Sequence, residues 1–323
     1  MDTADNASSH PESGDSSGRQ EAAHPVTPST PTANIFMGPG GLRAGWRFFL
    51  YLAMVVAGIV GMSMYSAHAN KGAHHHGNVI WGMLIGELIF FVIAFVPAFF
   101  MSLLEKRSFG TYGLPLRFAF GKLFWSGTAW GIVSLSVLMF ALRAFGVFTF
   151  GTLAVHGARA LKFAVFYAVL FFFVGLTEEF LMRGYSQFTL AQGIGFWPAA
   201  VILSLAFGAV HLGNNGEAWI GIVGAVMIGL FFCLTLRRTG NLWFALGFHA
   251  AWDWAESFLY SVADSGQMAP GHLLNSSSHG SHWLSGGTVG PEGSVLIFIL
   301  IPAIWLAFDR MYRETRYVVP SGN

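Results

Sequence analysis

Three apolar stretches of this 323-residue chain carry ionisable side chains. GLTEEFLMRGY holds Glu178, Glu179 and Arg183; SLAFGAVHLGN holds His211; NLWFALGFHAAWDWAE holds His249, Asp253 and Glu256. A base, imidazoles and a polar terminus converging on one water are what hydrolysis of a carbonyl compound requires. An ionisable group at the centre of a spanning helix costs about 2.5–3.5 kcal/mol on insertion scales, so each of these residues is a functional candidate by default. The competing reading is a transporter or scaffold in which the same Glu–Arg pair and histidines only bridge helices.

Helical spacing sorts the residues. Glu179 and Arg183 are four apart, share a face and can form a charge-assisted pair, while Glu178 lies about 100° around the helix and is left free for chemistry. His249 and Asp253 are also four apart, with Glu256 at i+7 expected on their face, and Phe207 sits one turn beneath His211, where it can hold the ring plane.

These residues must also meet at one depth. If the fourth apolar run reached the surface at Arg183, Glu178 would lie only about 7 Å below it, against about 20 Å for His211. The fourth helix or its immediate extension is therefore expected to run well beyond Arg183, through Tyr185–Gln192.

The elements that carry them are legible from composition. Charged residues make up 10% of the chain and hydrophobic ones 54%, with 32 Phe, 11 Trp and 40 Gly, and the mean hydropathy is +0.56. An ordinary soluble domain carries roughly 25% charge, so the solvent for most of this chain is lipid. The net charge of +1 gives no nucleic-acid footprint. The single Cys233 excludes an internal disulfide and a cysteine-based zinc site. Eight apolar runs follow, near 46–66, 79–103, 123–144, 161–183, 196–212, 218–236, 241–260 and 293–309, each close to the roughly 20 residues that span a bilayer.

The expected fold is therefore all-α and polytopic, with about eight transmembrane helices and the chemistry in the fourth, fifth and seventh. Counting Lys and Arg on alternate sides places 13 on one face and 4 on the other, which puts both termini in the cytoplasm, in a multi-pass protein assigned to the cell membrane. Residues 1–34 are expected to be a disordered cytoplasmic tail without a cleavable signal peptide. The N-terminal helices and an interfacial segment occupy 35–160, the catalytic core 161–260, an exoplasmic loop 261–292, and the last helix and tail 293–323. Segment 105–122 mixes basic and aromatic residues and should lie along the interface, its Gly110, Gly113 and Pro115 opposing one continuous helix. Gly82 and Gly86 form a GxxxG pair at which two backbones can approach.

At the polar residues the sequence resembles the CAAX-protease and bacteriocin-processing family of intramembrane proteases, also called Abi. Its motifs EExxxR, FxxxH and Hxxx(N/D) correspond to Glu178 through Arg183, Phe207 through His211, and His249 through Asp253, and the resemblance covers roughly 160–260. It implies endopeptidase hydrolysis of a peptide bond in or at the membrane, with lipids and a peptide or membrane-associated protein substrate as partners. Eukaryotic members remove the last three residues of prenylated CAAX proteins, and bacterial ones are linked to peptide maturation or bacteriocin immunity. By the resemblance, Glu178 activates the water, His211 helps bind it, and His249 with Asp253 stabilises the oxyanion, while Glu179 and Arg183 support the architecture. The rival reading keeps a non-catalytic transporter or partner-binding immunity factor.

Many members carry Asn where this chain has Asp253, and an ionised Asp cannot donate to an oxyanion. Asp253 must then be protonated, orient His249 by accepting its ring N–H, or coordinate a metal. Such families are frequently described as metalloproteases. The HExxH helix of zincins is absent here, and a Glu-activated water suffices without metal if His211 shares it; a Glu–His–His set could equally hold zinc with an open fourth position. The reading favours a metal-free mechanism. His68 and His74–His76, and His272, His279 and His282 in the last loop, are read as solvated loop residues, and Glu87 as a lone carboxyl with a local polar partner rather than a cavity residue.

Overall fold

The computed structural model describes residues 35–38, 41–69, 79–214, 216, 219–268 and 270–318. The tail 1–34, and His74, His75 and His76, lie outside the described residues.

Helices dominate: α1 (Ala44–Ala69), α2 (Val79–Leu104), α3 (Lys122–Ala144), α4 (Gly157–Arg183), α5 (Tyr185–Ile194), α6 (Phe196–His211), α7 (Trp219–Thr239), α8 (Trp243–Trp254), α9 (His282–Ser285) and α10 (Ile297–Met311). Among the described residues, sheet is confined to two small antiparallel pairs, Met37–Gly38 with Gly41–Leu42 and Phe148–Thr149 with Ser277–Ser278. Among the described residues five helical stretches, 44–68, 80–104, 122–144, 157–194 and 219–239, are long and apolar enough to cross a membrane. The protein is thus an all-α polytopic membrane protein.

The remaining three apolar runs form shorter helices, α6 of 16 residues, α8 of 12 and α10 of 15. The run 241–260 is therefore not one spanning α-helix. α8 begins beneath the segment that links α2 to α3: the Leu242 N–H donates to Gly113 O (2.8 Å) and the Trp243 indole to Pro115 O (3.2 Å). It ends in a π-helical turn, Ala255–Leu259. A helix enclosed by protein at both ends need not match the bilayer, because its terminal polar groups find partners inside the fold. The linking segment itself is two short 3-10 turns, Phe109–Tyr112 and Leu116–Phe118, with Leu116 exposed.

α3 and α8 touch backbone to backbone. A Cβ on Gly127 would overlap Phe244 O, one on Gly131 would overlap Phe248 O, and one on Gly247 would overlap Phe124 O. In lipid, where no hydrophobic drive separates helix from solvent, such close approach is a main source of association. Gly82 and Gly86 have nothing within 4 Å, so the expected GxxxG contact is made elsewhere. Gly131→Leu is accordingly expected to destabilise the detergent-solubilised protein by about 1–3 kcal/mol or more, and Gly86→Leu by no more than about 0.5 kcal/mol. Parallel thermal melts check this, and equal melting temperatures would contradict the α3–α8 contact.

On the Arg-rich face, Glu105 gathers three elements. It accepts from Arg47 (2.7 Å), Tyr112 (3.0 Å) and Tyr185 (2.5 Å), and Arg47 also donates to Gln192 (2.5 Å). The network ties α5 to α1 and α2. It holds in place the stretch of chain that must carry α4 past Arg183.

On the opposite face, residues 261–268 and 270–292 are folded rather than loose. Ala154 N–H donates to Leu273 O (2.8 Å), Tyr167 OH to Pro270 O (2.5 Å) and His279 N–H to Val147 O (3.0 Å), which lays the segment against α3 and α4.

Candidate active site

The α4 helix does not stop at the surface after Arg183. It breaks at Gly184 and resumes as α5 to Ile194. Along the chain, Glu178 lies 16 residues before Ile194 and His211 15 residues after Phe196, each about 22–24 Å of helix from the α5–α6 turn. That equal run lets two residues from different helices face one space.

Gly175 brings α8 against α4 one turn before Glu179. A Cβ there would lie 3.2 Å from Ala250 N and 3.5 Å from His249 Cβ. Glu179, wholly buried, accepts from Arg183 Nη1 (3.2 Å) and from His249 Nδ1 (3.0 Å) through the same Oε1. The Arg183 guanidinium lies over the Phe207 ring at 4.5 Å and beside that of Phe232 at 5.8 Å. Gly229 leaves the space it fills, since a Cβ there would overlap Arg183 Nη2. Phe232 also stacks on His249, with ring centroids 5.8 Å apart at 21°. The buried cation is thus held by a carboxylate and two aromatic faces from α4, α6 and α7.

This arrangement orients both imidazoles. The Nδ1–H of His249 goes to Glu179, leaving Nε2 towards Glu178 Oε2 (3.7 Å) and Asp253 Oδ2 (3.5 Å). His211 Nδ1 donates to the Phe207 carbonyl (2.7 Å), and its ring meets the Phe207 ring edge-on, centroids 4.6 Å apart. A carbonyl only accepts, so this bond selects the tautomer with Nε2 unprotonated and available.

Glu178, His211, His249 and Asp253 all line one cavity of about 380 Å³, with Phe207 on its wall. Glu178 keeps 31% of its side chain exposed, against 0% for Glu179 and Arg183. The rest of the lining is largely apolar, including Leu170, Val174, Ile228, Ile297 and Ile301.

Two expectations are corrected. Glu87 of α2 lines this cavity rather than meeting only a local partner; its being an ionisable group in an apolar helix was the available signal. Glu256 does not share the face of His249 and Asp253. The π-helical turn that begins at Ala255 has a wider repeat, so the i+7 phase is lost and Glu256 does not line the cavity. The bond from His249 to Glu179 had no signal in the sequence, since it joins two helices 70 residues apart.

Glu178, His211 and His249 do not form a compact ligand set. Among the described residues the three carboxylate or imidazole groups whose ligand atoms lie within 4.8 Å of one another are Glu256, Asp264 and Glu292. The Nε2 of His249 stands beside two carboxylates, Glu178 at 3.7 Å and Asp253 at 3.5 Å. This donor geometry fits hydrogen bonding to a water better than tetrahedral coordination.

Residues 160–255 match the model of the family described as Rce1-like, type II CAAX prenyl endopeptidase. No curated protein and no solved structure matches the chain. The matched segment runs from α4 to the end of α8 and contains Glu178, Glu179, Arg183, His211, His249 and Asp253. It is consistent with a protease of the CAAX-protease and bacteriocin-processing family, and at the level of the family it supports a CAAX-protease-like membrane endopeptidase.

Proposed function

We propose that this protein hydrolyses a peptide bond with a water activated by Glu178 in the cavity between α4, α6 and α8. The observation that carries the reading is the convergence of Glu178, His211, His249 and Asp253, from three helices, on one cavity. Glu178 is the partly exposed carboxylate, whereas Glu179 is wholly buried and bonded to Arg183 and His249.

In this mechanism a water sits between Glu178 and the free Nε2 of His211. Glu178 takes its proton as the oxygen attacks the scissile carbonyl, and the resulting oxyanion is met by His249 Nε2, when that nitrogen is protonated, and by Asp253. Glu178 then delivers the proton to the departing amine. Because Glu179 already takes the Nδ1–H of His249, Asp253 is not needed to orient that ring, and the role left to it is that of a protonated acid donating to the oxyanion. Asp253→Asn is therefore expected to retain activity within about tenfold and to reduce the alkaline limb of the pH profile to the contribution of His249, since an amide donates at every pH. Loss of all activity would show that Asp253 acts as a carboxylate.

The apolar walls suit a peptide that is itself membrane-associated. The proposed topology keeps both termini in the cytoplasm, in accord with the distribution of Lys and Arg. The test is cleavage, read by mass spectrometry, of peptides with and without an isoprenoid on a C-terminal cysteine, in membranes holding wild type or Glu178→Ala. Equal behaviour of the two membranes would leave the non-catalytic reading in its place.

A further inference from the structure

We propose that Glu256, Asp264 and Glu292 form a divalent-cation site, suited to Ca²⁺, that ties the segment following α9 to the end of α8. Each of the three offers a carboxylate oxygen within 4.8 Å of the others. Oxygen ligands about 2.4 Å from a Ca²⁺ can lie up to about 4.8 Å apart across it, whereas Mg²⁺ requires a tighter octahedron, and an all-carboxylate set is hard and disfavours copper or zinc.

A cluster of acids is common without a cation, but here one member points to a ligand. Glu256 is fully buried, and neither of its oxygens has a partner in good hydrogen-bond geometry, the Trp252 side chain contributing only a weak contact. An ionised carboxylate in that position needs a positive charge or several donors. The other two are held by hydroxyls, Asp264 by Ser257 (3.2 Å) and Glu292 by Ser265 (3.2 Å).

The backbone is shaped to close this site. Gly290 has φ +119°, and a Cβ there would lie 2.9 Å from Glu256 Oε1 and overlap Ala263 O. Only glycine lets the chain before Glu292 pass this close. Asp264 and Glu292 also line the cavity, while Glu256 does not. The cavity therefore gives a cation access to two of the three carboxylates, with the buried Glu256 completing the set. The α8 end that it would anchor also carries Asp253, so the site has a structural reason to lie where it does.

The experiment uses the full chain in neutral detergent, stripped with EDTA and titrated with CaCl₂, with MgCl₂ and KCl as controls. Millimolar Ca²⁺ is expected to raise the melting temperature by several degrees, more than Mg²⁺ does, and Tb³⁺ is expected to give tryptophan-sensitised luminescence that Ca²⁺ displaces. Both signals should fall at least tenfold in apparent affinity in Asp264→Asn and in Glu292→Gln. The proposal is overturned if wild type melts identically in EDTA and CaCl₂, or if both variants keep the wild-type response, which would place the ion elsewhere. It is equally overturned if Glu256→Gln melts higher than wild type in EDTA and Ca²⁺ has no effect on wild type, the behaviour of carboxylic acids sharing protons. None of these readouts depends on peptidase activity.

Discussion

Glu178→Ala is expected to lower peptide cleavage in membranes by about 10²–10⁴-fold, the usual contribution of a positioned general base, and to leave the melting temperature within a degree or two of wild type. The contrast follows from where the side chain sits. Glu178 is 31% exposed in the cavity and its closest ionic neighbour, His249 Nε2, is 3.7 Å away, too far for a direct hydrogen bond. Removing it breaks no buried contact that holds helices together, yet it removes the carboxylate to which the proposed mechanism gives the proton of the attacking water. Glu178→Gln should be nearly as inactive, because an amide keeps the shape and loses the basicity. Wild-type turnover by either variant, measured at matched protein levels, would end the role assigned to Glu178.

Glu179→Ala has the opposite signature. It is expected to cost about 3–5 kcal/mol, the range for deleting one partner of a buried ion pair, enough to prevent recovery of a monodisperse protein from membranes. Arg183 would remain wholly buried with its only carboxylate gone, although two of its nitrogens already lack hydrogen-bond partners. His249 would lose the acceptor of its Nδ1–H at the same time. Size-exclusion profiles and thermal melts of the two alanine variants, side by side, check the division of labour. If Glu179→Ala melts like wild type but is inactive, Glu179 belongs to the chemistry and the support must come from elsewhere.

Much of this division was readable from spacing. A separation of four residues puts Glu179 and Arg183 on one helical face in any fold that keeps α4 helical, and the adjacent position necessarily points elsewhere. The need for chain beyond Arg183 was likewise a matter of length: without α5, Glu178 and His211 could not lie at one depth. Hydropathy located the helices, because lipid demands long apolar runs whatever their neighbours are.

Contacts between helices were another matter. Gly82 and Gly86 have the same spacing as Gly127 and Gly131, yet only the second pair meets a partner backbone. Rotation and crossing of the helices decide that, and neither is encoded in the spacing within one helix. The same holds for Glu179 and His249, which share a hydrogen bond across 70 residues, and for Glu87, which reaches the cavity from α2.

The sequence by itself determined the all-α membrane class, the helix positions and the pairing within α4, because each depends on interactions over a few residues or on composition against lipid. Tertiary structure alone decided how His249 is oriented, that α8 starts beneath residues 113–115, and that Glu256 meets Asp264 and Glu292. A single π-helical turn, Ala255–Leu259, changes the phase of every residue it contains. That turn is a product of packing at the end of α8, where no local periodicity could announce it.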